Sequence, residues 1–197
     1  MVGDPHFQGF GGGKWDKFVG KPGQTYTLYS DSRGANLAAT FGAGGPAGKA
    51  TFIRAITFSR GANRTSASLV KLGASWVLQV MASGRPVGAM QTVRIGNDIV
   101  VQATPVKAGR PSGVIVTVPY LRIRAAQREA YKQGQVQPSW GSWLDVYLTV
   151  LAPLPPPVGG ILGRTYKPAQ AAVAAGGVSS QAGGAMPMAS FEFQVQP

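Results

Sequence analysis

Glycine and proline interrupt this chain so often that few stretches between them are long enough for a stable helix. There are 28 glycines and 15 prolines in 197 residues, and an isolated helix shorter than about 12 residues is marginal in water. The short intervals they leave are rich in β-branched and aromatic residues, which read as strands. Gln24–Tyr29 follows a Lys21-Pro22-Gly23 turn, and Asn36–Phe41, Thr51–Phe58, Ala67–Leu72 and Trp76–Met81 have the same character. In Phe52–Phe58 the polar–apolar alternation is imperfect, so its buried face stays open. Ser83-Gly84-Arg85-Pro86 is a turn.

The clearest hairpin is Thr92–Ile95 and Ile99–Gln102 joined by Gly96-Asn97-Asp98, a connection that suits a type I turn with a left-handed residue. Val114–Val118 and Leu121–Arg124 follow, with a bend at Pro119. Ala125–Lys132 alone has a helical composition, and strands resume at Ser142–Leu151, Gly160–Tyr166 and Phe191–Val195. The pattern predicts an all-β fold of about ten to twelve short antiparallel strands, a two-sheet β-sandwich or an open barrel, with one short helix near 125–132.

The length is that of one domain, residues 1–197. Leu154-Pro155-Pro156-Pro157 gives a stiff bend within 153–157, and residues 169–189 form a low-complexity Ala/Gly loop. The alternating Phe191–Val195 is expected to return to the sheet beyond that loop. With 44% apolar and 13% charged residues the chain is no disordered segment. No apolar run is long enough to span a bilayer. Met1 runs straight into Gly3-Asp4-Pro5-His6-Phe7 with no signal-peptide pattern. Either a targeting sequence belongs to a longer precursor, or the protein never leaves the cell.

Catalytic chemistry has little to work with. Cysteine is absent, which excludes disulfides, thiol catalysis and thiolate metal sites. The one histidine, His6, cannot supply the several His or Cys ligands that a zinc site needs. No GxSxG elbow accompanies it as a nucleophile, and local hydrogen bonding behind Pro5 is its ordinary role. Calcium needs convergent oxygens, and Asp31, Asn36 and Asp98 are the candidates. Each also suits a turn or cap. The Gly-rich stretches 9–13 and 42–48 lack the Gly-Lys-Ser/Thr ending of a phosphate loop.

Nineteen Lys and Arg against seven Asp and Glu give a net charge of +12, which favours anionic partners. The cations cluster. Lys14, Lys17 and Lys21 share a Gly-rich segment with Trp15. Arg122 and Arg124 alternate on one strand face, and Arg128 and Lys132 share a face of the predicted helix. Trp140 and Trp143 flank a Gly-Ser turn. Basic side chains beside aromatic ones suit acidic sugars or single-stranded nucleic acid. The ordinary alternative is aromatics in the core and charges on a solvated face. No RNA-binding signature, zinc finger or basic helix points to nucleic acid. Asn63-Arg64-Thr65 is a glycosylation sequon in a turn-like segment.

Two motifs at opposite ends add a resemblance. The block Gly3–Phe41, opening GDPHF and running through Tyr26-Thr27-Leu28, resembles the start of the von Willebrand factor type D domain. About 150 residues later, Gly160-Ile161-Leu162-Gly163-Arg164-Thr165-Tyr166, preceded by Leu144–Leu148, is similar to the end of that superfamily's plant and green-algal root-cap branch. The resemblance is faint over 60–140. It implies an extracellular-type β module, although the missing cysteines depart from the disulfide-rich animal domains, many of which bind calcium. It also implies a candidate self-cleavage at Asp4-Pro5-His6, because some mucin-type D domains split at the Asp-Pro bond of GDPH in mild acid. The function expected is a non-catalytic extracellular or cell-wall module that binds an acidic polysaccharide or a matrix protein through Lys14, Lys17, Lys21, Arg122, Arg124, Arg128 and Lys132. The alternative is a carrier of a small apolar ligand, lipid or pigment, enclosed partly by the 169–189 loop with Met186 and Met188.

Overall fold

A computed structural model describes residues 6–7, 16–18, 20–44, 50–104, 106–107, 110–129, 141–163 and 192–196. The strands are β1 (His6–Phe7), β2 (Asp16–Lys17), β3 (Thr25–Ser30), β4 (Ala35–Gly44), β5 (Ala50–Arg60), β6 (Asn63–Leu72), β7 (Ser75–Ala82) and β8 (Arg85–Pro86). They continue with β9 (Thr92–Ile95), β10 (Ile99–Ala103), β11 (Val106–Lys107), β12 (Arg110–Pro111), β13 (Gly113–Val118), β14 (Leu121–Glu129), β15 (Ser142–Val150) and β16 (Glu192–Gln196). One helical turn, α1 (Gly160–Gly163), precedes β16. The strands form an antiparallel sandwich. One sheet has the order β2-β1-β16-β15-β14-β13-β10-β9, the other β3-β4-β5-β6-β7-β8, and β11-β12 is a separate ribbon. Neither sheet closes on itself, and the two-sheet sandwich is the alternative that fits.

Alternation puts one face of each sheet inside. Leu37, Ala39 and Phe41 of β4, Ile56 and Phe58 of β5, and Ala67 and Leu69 of β6 meet Val101, Val116, Leu121, Ile123, Leu144, Val146 and Leu148 of the opposite sheet in one core. Burying each of the larger side chains contributes roughly 1.5–3 kcal/mol. The broken alternation in β5 has a local cause. Thr40 faces Ala55 but Phe41 faces Ile53, so Arg54 is an extra residue in a bulge. The bulge also turns the neighbouring part of β5 inward, where Thr51, Phe52 and Ile53 are all buried. The β9–β10 hairpin has the expected three-residue connection, with Gly96, its first residue, left-handed at φ 60°. Ser83 and Gly84, at φ 47° and 77°, make a two-residue turn of the primed type.

Two sequence expectations need correction. The helix expected over Ala125–Lys132 is not formed in its described part: residues up to Glu129 continue β14, paired with β15 from Leu121↔Val150 to Glu129↔Ser142. Ala125 is fully buried opposite Val146, so a nine-pair ladder and core contact override the helical composition. The helix lies instead at Gly160–Gly163, where a strand was expected. Gly159, just before it, makes an isolated bridge to Ser30. Sixteen strands are described, five of them only two residues long, so the longer ones match the ten to twelve expected. The last strand does return, as β16 between β15 and β1.

Candidate anion-binding face

Strand register fixes which side chains share the solvent face of the eight-stranded sheet. Arg94 pairs with Val100, Val100 with Thr117, Thr117 with Arg122 and Arg122 with Thr149. One row across five strands therefore carries arginines at its first and fourth positions. The next row is Thr92, Gln102, Ile115, Arg124 and Tyr147. Arg94, Arg122 and Arg124 are all exposed. Strand spacing puts the backbones of Arg122 and Arg124 about 7 Å apart and those of Arg94 and Arg122 about 14 Å apart. Register brings Glu192 beside Thr149 at the far end of the first row. The solvent face of the other sheet is different in kind, with a row of Thr25, Thr40, Ala55, Ser68 and Gln79.

Beside the arginines lies a polar knot that sequence reasoning missed. The Arg128 Nε donates to Asp145 Oδ2 at 2.8 Å, and the Trp143 indole N–H donates to Asp145 Oδ1 at 3.1 Å. A second Arg128 nitrogen donates to the Tyr147 hydroxyl at 3.4 Å. The Arg124 guanidinium lies 5.4 Å from the centre of the Tyr147 ring, a cation–π distance. Burial holds the Asp145 carboxyl above its ordinary range, only partly offset by the bonds from Arg128 and Trp143. The hydrogen bonds to Asp145 and then to Tyr147 push the Arg128 guanidinium up. Tyr147 thus holds Arg124 by its ring and Arg128 by its hydroxyl, ordering both cations before any ligand arrives.

The other expected site residues scatter. Arg128 sits on a strand, not a helix, and is committed to Asp145. Trp143 stacks one ring face on Phe52 at 5.2 Å between centroids and 20° between planes. Lys21 is exposed but precedes β3 at the edge of the other sheet. Lys17 belongs to β2, four strands from β14. Lys14, Trp15, Lys132, Trp140, Asp4, Pro5, Met186 and Met188 lie outside the described residues, and His6 is described only as part of β1, in register with Lys17 and Gln196. Asn63 starts β6 half-buried, and the sequon's Thr65 faces inward at 3% exposure. Arg94 was legible only as one residue of a hairpin; its place beside Arg122 depends on the order β9-β10-β13-β14.

Two of the calcium candidates have other work. Asp31 accepts the Tyr29 hydroxyl at 2.7 Å and the backbone N–H groups of Arg33 and Ala35 at 2.8 and 3.1 Å. Asp98 pairs with Arg60. Arg33 and Arg60 both lie over the ring of buried Tyr120, at 5.4 and 5.8 Å. Burial chiefly, then neighbouring Asp31, pushes the Tyr120 hydroxyl far up, with Arg60 and Arg33 opposing. That hydroxyl feels Asp31 yet makes no hydrogen bond of normal geometry. Among the described residues, no three His, Cys, Asp or Glu side chains gather as a metal site would require. No described helix is long and apolar enough to cross a membrane.

Scanned against protein-family models the chain matches none, and no curated protein matches its sequence.

Proposed function

We propose that this chain is a non-catalytic binding module whose solvent-facing eight-stranded sheet holds an acidic polysaccharide. The observation that carries this reading is the exposed trio Arg94, Arg122 and Arg124 in two adjacent cross-strand rows. Asp145, two residues from Tyr147 on the neighbouring strand, is already engaged by Arg128 and Trp143. A strand-borne array fixes the spacing of its backbone positions, so only the side chains are left to order on binding. Guanidinium forks also match carboxylates in two-point contact. Repeated carboxylates on an extended sugar chain suit a broad flat face better than a single pocketed anion does. An extracellular or cell-wall setting, as a type D-like module of the root-cap branch, rests on the two end motifs.

Retention on immobilised polygalacturonate tests the reading. The protein should bind at low salt and elute as ionic strength rises, because contacts between exposed charges are screened. Arg122→Ser with Arg124→Ser should elute at clearly lower salt. Equal retention of wild type and double variant would remove the proposal.

A further inference from the structure

At the edge of the six-stranded sheet the ladder stops early. β8 pairs with β7 only through Met81↔Pro86 and Ala82↔Arg85, and β12 packs along β7 in a separate ribbon without joining its sheet. Pro86 and Pro111 each lack the N–H that would extend a ladder beside β7. The gap left between them is an open cavity of about 310 Å³. Val70, Leu72, Val77 and Val87 supply its apolar wall, and Gln79 and Arg110 its polar groups. Leu72 is 50% and Val70 36% exposed, two of the three large exposed hydrophobics among the described residues. Grouped exposed apolar side chains beside a polar rim are the pattern of a ligand groove. Among the described residues, no carboxylate lines the cavity.

We propose that this groove binds a small single-chain amphipathic carboxylate, such as a short fatty acid. Its hydrocarbon would lie on Val70, Leu72 and Val77 and its head group on the Arg110 guanidinium. The volume is near the lower end of the roughly 300–1,000 Å³ of small-molecule pockets, which favours a slim chain over a fused ring system. One cation without a lining acid selects an anionic head over a neutral or cationic one. This site is separate from the arginine face and does not depend on it.

Calorimetric titration of the whole chain with decanoate, kept below its micelle concentration, and with decan-1-ol tests the assignment. Decanoate should bind saturably at one site, at least tenfold more tightly than the alcohol. Arg110→Met should abolish that preference while alcohol binding persists. Leu72→Asp, at a half-exposed position that tolerates charge, should abolish both, with circular dichroism confirming the fold. Arg122→Ser with Arg124→Ser should leave decanoate binding unchanged. Absence of saturable binding, or binding that follows Arg122 and Arg124 instead of Arg110 and Leu72, would overturn the proposal.

Discussion

Arg128 and Asp145 meet at 2.8 Å across neighbouring strands, with the acid 5% exposed and the arginine 52% exposed. The asymmetry decides what the pair is for. A buried carboxylate is costly without a partner, whereas an exposed guanidinium is well solvated alone. Arg128 therefore serves Asp145 more than any ligand.

Arg128→Met should destabilise the fold by about 1–3 kcal/mol, below the range for a fully buried pair because half of the arginine is in water. It should change polygalacturonate retention less than Arg122→Ser does. Chemical denaturation and salt elution of the same two variants give the comparison.

Asp145 also sets a pH dependence. Burial raises its carboxyl above the ordinary 3.8, so the folded state holds the proton more tightly than the unfolded state. The stability it contributes is present below 3.8 and is lost as pH rises through the higher folded value. Asp145→Asn removes that dependence. The stability of wild type minus that of the variant should accordingly fall as pH climbs from below 3.8 and then level off. Urea midpoints measured across mildly acidic pH would show it, and a difference that rises with pH would contradict it.

Gly160 opens the late motif at φ 83°, and a Cβ there would come within 2.6 Å of the Leu28 carbonyl carbon and oxygen and 2.7 Å of the Tyr29 nitrogen. Both the conformation and the backbone contact require glycine. Gly160→Ala should cost about 2–4 kcal/mol. Gly73→Ala, at φ 59° with open space around it, should cost about 1 kcal/mol. Thermal denaturation of the two variants separates close packing from conformational strain alone.

Tyr120 offers a subtler test, because its hydroxyl is buried near Asp31 without a well-formed hydrogen bond. Tyr120→Phe keeps the ring under Arg33 and Arg60 and removes only that oxygen. Stability should change by less than about 1 kcal/mol. A loss well above that in denaturation would mean that the hydroxyl donates to Asp31 in solution.

The alternation in Asn36–Phe41 and Leu121–Arg124 made the strands legible, and the Gly96–Asp98 spacing made the hairpin so. Ala125–Lys132 misled because its helix-forming residues say nothing of Val146 and Leu144, whose ladder holds Ala125 in the core. The β5 bulge was visible only as imperfect alternation. Arg122 and Arg124 were readable as a pair by parity within one strand. Arg94 and Asp145 were not, since strand order places the first and long-range register the second.

On the proposed reading, position rather than bulk charge makes the arginine face bind. Affinity for polygalacturonate oligomers at low salt should therefore be compared between two triple variants of equal charge. One replaces Arg94, Arg122 and Arg124 by Ser; the other replaces the exposed Arg64, Lys71 and Arg85. The first should bind at least tenfold more weakly than wild type, about 1.4 kcal/mol, and the second within about twofold. Equal losses in both would contradict the account.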